Sequence, residues 1–343
     1  MTPSQPTPSQ RTKRIVTLLI LPLSLLFLSC NPIFDSVENA ELIHYRTRPK
    51  SHLPTDFAMQ PNIVVMGDGY TASEATTFKT DAINMVDHLF SVSPFNVSIF
   101  PQYFNVYFIS LESAEKGIGR GDANDTALRC YFTTNYSTDL VFDDVNFWGG
   151  RKAPNPFDVV TRFIPGINLS NTVVVILVND TKVGYTTSFR NVAPYDQWIS
   201  LISVPDDPNE FKRLIMREVG GKAFARLAEE DAYYGPDTQE VMTQMSTQYG
   251  FYPNISFTAN PSEVAWKHFL DPSLNALYPN LGVHHIGYGA YRPDNDNVMM
   301  RSGYSLEYDA PSREAIVKRI YQIHRWNYTA STFFFYFVGP NSI

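Results

Sequence analysis

Cysteine is nearly missing from this 343-residue chain, which holds Cys30 and Cys130 and no other. One bridge at most could form, and none if Cys30 is modified, so stability has to come from packing. Basic residues are also scarce, with 27 Lys and Arg against 34 Asp and Glu and a formal charge of -7. No stripe of Lys and Arg appears, which argues against a nucleic-acid partner. Long apolar runs are confined to residues 15–28, short of the roughly twenty residues a spanning helix needs. There is no G-x-S-x-G elbow, phosphate-binding loop, dinucleotide fingerprint or H-E-x-x-H motif, and Cys130 has no cue for activation. Triad, nucleotide and thiol chemistry therefore find no support. No fixed-period repeat is visible, which excludes a solenoid.

What is there begins with Arg11, Lys13 and Arg14 ahead of the apolar run, which stops at Ser29 and Cys30. That order reads as an export signal, removed or lipidated. Phe27-Leu28-Ser29-Cys30 resembles a relaxed lipobox, with Phe27 where Leu is commoner, and makes Cys30 the expected lipid-bearing residue. Residues 1–30 are thus expected to be a lipoprotein signal with its lipidated cysteine. Residues 31–48, polar and without period, are expected to be a tether. Residues 49–343 are expected to form one domain, long enough to bury a sizeable core. The expected location is the bacterial cell envelope, as an outer-membrane lipoprotein on its surface or periplasmic face. Twenty Tyr and 24 Phe imply either an aromatic core or a face that handles peptides or sugars.

Residues 62–66 form a short apolar run closed by Gly67-Asp68-Gly69, a buried strand ending in a tight turn. Thr71 and Glu74 have capping-box spacing, and Phe78, Ala82, Met85, Val86, Leu89 and Phe90 recur at helical intervals. Residues 104–109 and the β-branched run 172–178 suit further strands, the second covered on both faces. Strand, turn and amphipathic helix in this order indicate an α/β layer arrangement. The region 116–155, rich in Gly and Asn, is expected to be a surface excursion. A helix is expected from near Asn209 with Phe211, Leu214, Ile215, Val219, Ala223 and Leu227 inward, and another over 311–324 with Ala315, Ile316, Ile320 and Ile323 inward. The aromatic run 333–338 is expected as a buried last strand.

Several stretches together resemble the bacterial IgA-peptidase family of zinc metallopeptidases. They are Val65-Met66-Gly67-Asp68-Gly69-Tyr70-Thr71, Thr126-Ala127-Leu128 with Tyr131-Phe132, and Val174-Val175-Ile176-Leu177-Val178-Asn179. Later come Trp266-Lys267-His268-Phe269-Leu270, Tyr291-Arg292-Pro293-Asp294-Asn295 running to Val298-Met299, and Ala310-Pro311-Ser312-Arg313-Glu314-Ala315-Ile316. The resemblance implies a zincin-like α/β fold with a mixed sheet and an active-site helix. On that helix H-E-x-G-G-H or H-E-x-G-H is followed by F-x-x-L-A-D-E-Y. It implies two zinc-binding histidines, a glutamate acting as general base on a zinc-bound water, and an acidic third ligand downstream. Neutral imidazoles suit this chemistry because they leave the metal positive enough to lower the pKa of its water.

The aligned stretch here runs from Arg217 to Asp231, and of the histidines and glutamate only Glu218 is present. Arg217 and Lys222 stand at the ligand positions, where cations repel a zinc ion. In the shorter frame the second histidine falls on Gly221, and no histidine occurs between His88 and His268. Glu218 is read as a vestigial general base, a poor one when two cations hold it. Glu218 and Lys222 are four apart, in the favourable order for an ion pair. His284 and His285 are the one adjacent pair, and with Glu229, Glu230 or Asp231 they are the candidate ligands of a relocated metal. On an extended chain such neighbours point to opposite sides.

Asp68 is expected to hold its turn, Arg313 to be a helix-start residue, and Arg120-Gly121-Asp122 and the sequons at Asn96, Asn168 and Asn254 to carry no function. The expectation is therefore a surface lipoprotein with an inactive metallopeptidase fold and no bound cofactor, zinc being the family's metal. It would bind a protein or glycan and touch the membrane through its lipid. The alternatives are an active hydrolase with a rearranged metal site and an envelope scaffold subunit.

Overall fold

A computed structural model of the chain describes residues 40–46, 59–117, 155–192, 195–232, 234–274, 277–296, 298–302 and 305–337. The export signal, Cys30, Cys130, Arg120-Gly121-Asp122 and most of the excursion at 116–155 lie outside these residues. Among the described residues no helix is long and apolar enough to cross a membrane.

Six strands form the central sheet: β1 (Glu41–Arg46), β2 (Asn62–Asp68), β3 (Asn105–Ser110), β4 (Thr172–Val178), β5 (Tyr185–Val192) and β6 (Tyr195–Ser203). Their spatial order is β1-β3-β2-β4-β6-β5. The inner four run parallel, while β1 and β5 pair antiparallel at the two edges. Every residue of β2 and β4 is buried, because parallel strands covered by helices on both faces need side chains that tolerate burial on both. The alternation of side chains splits the core in two. Ile63, Val65, Val173, Val175 and Leu177 join the larger cluster on one face, and Val64, Met66, Val174, Ile176 and Val178 join the smaller one opposite.

Helix α1 (Ala75–Leu89) follows β2, and the amide of Thr71 donates to Oε2 of Glu74 at 3.2 Å just before it. Phe78, Ala82, Met85, Val86 and Leu89 face the larger cluster. Helix α2 (Pro156–Phe163) covers the other face with Phe157, Val159 and Val160. Helix α3 (Pro208–Leu214) runs directly into a π-helical segment, Ile215–Phe224, on the larger-cluster side. Beyond it come α4 (Pro236–Tyr249), the hairpin of β7 (Leu281–Gly287) and β8 (Ala290–Asp294), the short α5 (Met299–Ser302), α6 (Ala310–Ile323) and α7 (Ala330–Phe337).

Two expectations are corrected. Within the segment expected as a tether, Glu41–Arg46 is a strand that pairs Leu42 with Ile109 and Ile43 with Phe108. Its alternation is too brief to read against polar neighbours, and pairing rather than periodicity makes it a strand. The aromatic run near the C-terminus is helical, with Phe333 and Phe334 buried and Phe335 61% exposed. A run in which every position is apolar has no period to read.

Candidate functional site

The motif positions fall on the π-helical segment, Ile215–Phe224. The amide of Ala225 bonds the carbonyl of Gly220, five residues back, the pattern of a π-helix, which is rare and concentrated at functional sites. Five residues also separate Arg217 from Lys222. One widened turn therefore sets both on the same side of the helix, where their charged ends lie 6.0 and 5.6 Å from the ring centre of Tyr185. Gly220 and Gly221 let the turn pack closely. A Cβ on the first would lie 2.8 Å from the Tyr308 hydroxyl, and one on the second 2.6 Å from the Met300 sulfur.

Around this turn sits a four-member charge cluster. Lys222 Nζ lies 2.8 Å from Glu218 Oε1 and 2.5 Å from Glu229 Oε1. The Arg217 guanidinium lies 2.8 Å from Glu229 Oε1 and, through Nε, 3.8 Å from Glu218 Oε1. The Glu218 side chain is fully buried, those of Arg217 and Lys222 are 10% and 18% exposed, and that of Glu229 is 31% exposed. The sheet fixes the buried member: Thr187 on β5 donates to Oε2 of Glu218 at 2.8 Å, and Ser200 on β6 donates to its main-chain oxygen at 3.1 Å. Two cations face two anions, so the cluster is neutral as a whole. Burial opposes charge on Glu229, but Lys222 and Arg217 outweigh it and hold the carboxyl below its ordinary value. Burial likewise opposes charge on Lys222, and Glu218 and Glu229 outweigh it and raise the ammonium above its ordinary value.

The chain then turns at Arg226, which has φ 62°, and brings Glu229 back to the helix. Its neighbour Glu230 goes the other way, into the interior. Asn254 Nδ2 donates to Glu230 Oε1 at 2.9 Å, and the buried Asp309 is near enough for its charge to act on the Glu230 carboxyl. Asp309 also caps α6 by accepting from the Ser312 amide at 2.6 Å. Burial first, and for Glu230 then the charge of Asp309, pushes both carboxyls up. Asp231 is exposed.

The other expected site residues are dispersed. His284 bonds the carbonyl of Asn280 at 3.0 Å, and His285 meets the Tyr291 ring edge-on. Asp68 is buried at the end of β2. Among the described residues no three of His, Cys, Asp and Glu gather in a way that could hold a metal ion. Glu229, Thr187 and Ser200 are the members that sequence reading missed or misassigned.

The family model of IgA Peptidase M64 matches residues 54–281, which include β2 through β6, the motif helix and the whole charge cluster. The chain belongs to that family. No curated protein matches it. Zinc is the metal of this IgA-peptidase family, and the side chains at the motif positions do not fit it. Guanidinium and ammonium groups have no lone pair to give, and the carboxylates beside them already neutralise those cations.

Proposed function

We propose that this IgA-peptidase family chain is a non-catalytic member on a zincin-type fold. Lipid on Cys30 holds it at the bacterial envelope, and the former cleft or its rim recognises a protein or glycan. One observation supports the reading above the rest: Arg217, Glu218, Lys222 and Glu229 occupy the motif helix as a closed set of ion pairs. A general base needs a free lone pair near neutral pH, and Glu218 is committed to Lys222 and Thr187. The cluster supplies the cross-link between the helix and the downstream turn that a bridging metal would otherwise make, so the cleft keeps its shape without hydrolytic chemistry.

The test uses the full chain purified in detergent without chelator or histidine tag. Elemental analysis is expected to find no stoichiometric zinc, and an unfolded polypeptide incubated with the protein and added zinc is expected to stay intact. Chelator-sensitive cleavage lost on His285→Ala would overturn the reading in favour of a rearranged metal at His284 or His285. Replacing the anchor residue, Cys30→Ser, is expected to move the protein from the membrane to the soluble fraction.

A further inference from the structure

A cleft of about 370 Å³ lies between the chain after α1, the last turn of α3 and the approach to α6. It is separate from the charge cluster, and Tyr308, one of its lining residues, divides the two by bonding the Met216 carbonyl of the motif helix. Its volume falls in the range of small-molecule sites. Lys212 and Arg313 line it with one acidic residue, the exposed Glu307, so the wall is net cationic. Among the described residues neither cation makes an ion pair of the kind that holds Arg217 and Lys222.

Arg313 is prepared for a ligand. Its guanidinium lies 5.6 Å from the ring centre of Phe337, which supports it. Its Nε–H is buried with no acceptor among the described residues. A carboxylate matches a guanidinium in shape and bond direction. Beside the apolar Val92 and Leu306, the wall also carries neutral polar groups. Ser91 gives its proton to the His88 carbonyl at 2.8 Å and so offers its oxygen as an acceptor, and Ser93 and Asn96 stand beside it.

We propose that this cleft binds a sugar acid of about one ring, its carboxylate held between Arg313 and Lys212 and its hydroxyls read by Ser91, Ser93 and Asn96. This goes beyond the reading of the motif helix and does not depend on it.

Titration calorimetry of the full chain with glucuronate tests it, with glucose as the neutral arm and inorganic phosphate as the anion-only arm. One-to-one binding of glucuronate is expected, with glucose and phosphate each weaker by about tenfold or more. Arg313→Gln and Lys212→Gln are each expected to weaken glucuronate by about tenfold while the thermal midpoint of each variant stays near that of the parent. Lys212 is half-buried at a helix end, so its variant serves even if Arg313→Gln fails to fold. Absence of glucuronate binding overturns the proposal, and so does binding that Lys212→Gln leaves unchanged. Phosphate binding as tight as glucuronate also overturns it, since the hydroxyl-reading wall would then contribute nothing.

Discussion

Lys222 is the residue on which the cluster turns, because it alone meets both carboxylates within 2.8 Å. Lys222→Met leaves Glu218 fully buried with the hydroxyl of Thr187 and, as its nearest cation, the distant Nε of Arg217, and breaking a buried pair by removing one partner costs about 3–5 kcal/mol. The double variant Lys222→Met with Glu218→Gln removes the stranded charge as well, so its loss is expected to fall short of the sum of the singles by about 1–2 kcal/mol. Urea denaturation of the four proteins measures this, and strictly additive losses would show that the pair is not coupled. Glu230 and Asp309 make a prediction of opposite character. Both have folded values above their unfolded ones, so their contribution is complete below the ordinary carboxylate range, about pH 4. It is lost as pH rises through the folded values. Glu230→Gln keeps the size of the side chain and its acceptor for Asn254 without the titration. Its melting temperature is expected to exceed that of the parent at about pH 8 and to approach it near pH 4; parallel profiles would contradict the upward displacement of Glu230.

At the scale of elements, α7 and the π-helical segment are where the sequence is least transparent. In a strand, Phe333 and Phe335 would share a face; in the helix only the first points inward, fully buried against 61% exposure for the second. Phe333→Ala is therefore expected to cost about 3–5 kcal/mol and Phe335→Ala less than about 0.5 kcal/mol in the same denaturation assay, and equal losses would argue for the strand. The widened turn has its own test. It places positions 217 and 222 around Glu229, so the double substitution Arg217→His and Lys222→His should create three metal ligands on one side. About one zinc per chain is expected by elemental analysis; no uptake would mean that the two positions do not converge.

Across the whole molecule, what could be read from the sequence was what repeats. The runs at β2, β3 and β4 and the inward stripes of α1, α3 and α6 were legible because burial on the sheet imposes a strict pattern. Strands β5 and β6 were not, since Thr187 and Ser200 place hydroxyls on a buried face to serve Glu218 and so break the alternation. Of the cluster, the Glu218–Lys222 pair followed from helical spacing. Glu229 did not, because it arrives through a reversal at Arg226 that no local period announces. Nor does residue type tell five-residue hydrogen bonding from four-residue bonding. That last feature bears on descent. The longer motif differs from the shorter one by a single glycine, and an added residue in an ordinary α-helix would swing everything after it round the axis. A π turn absorbs the extra residue within one loop of backbone, so a lineage can gain or lose that glycine while the second motif position keeps facing the first.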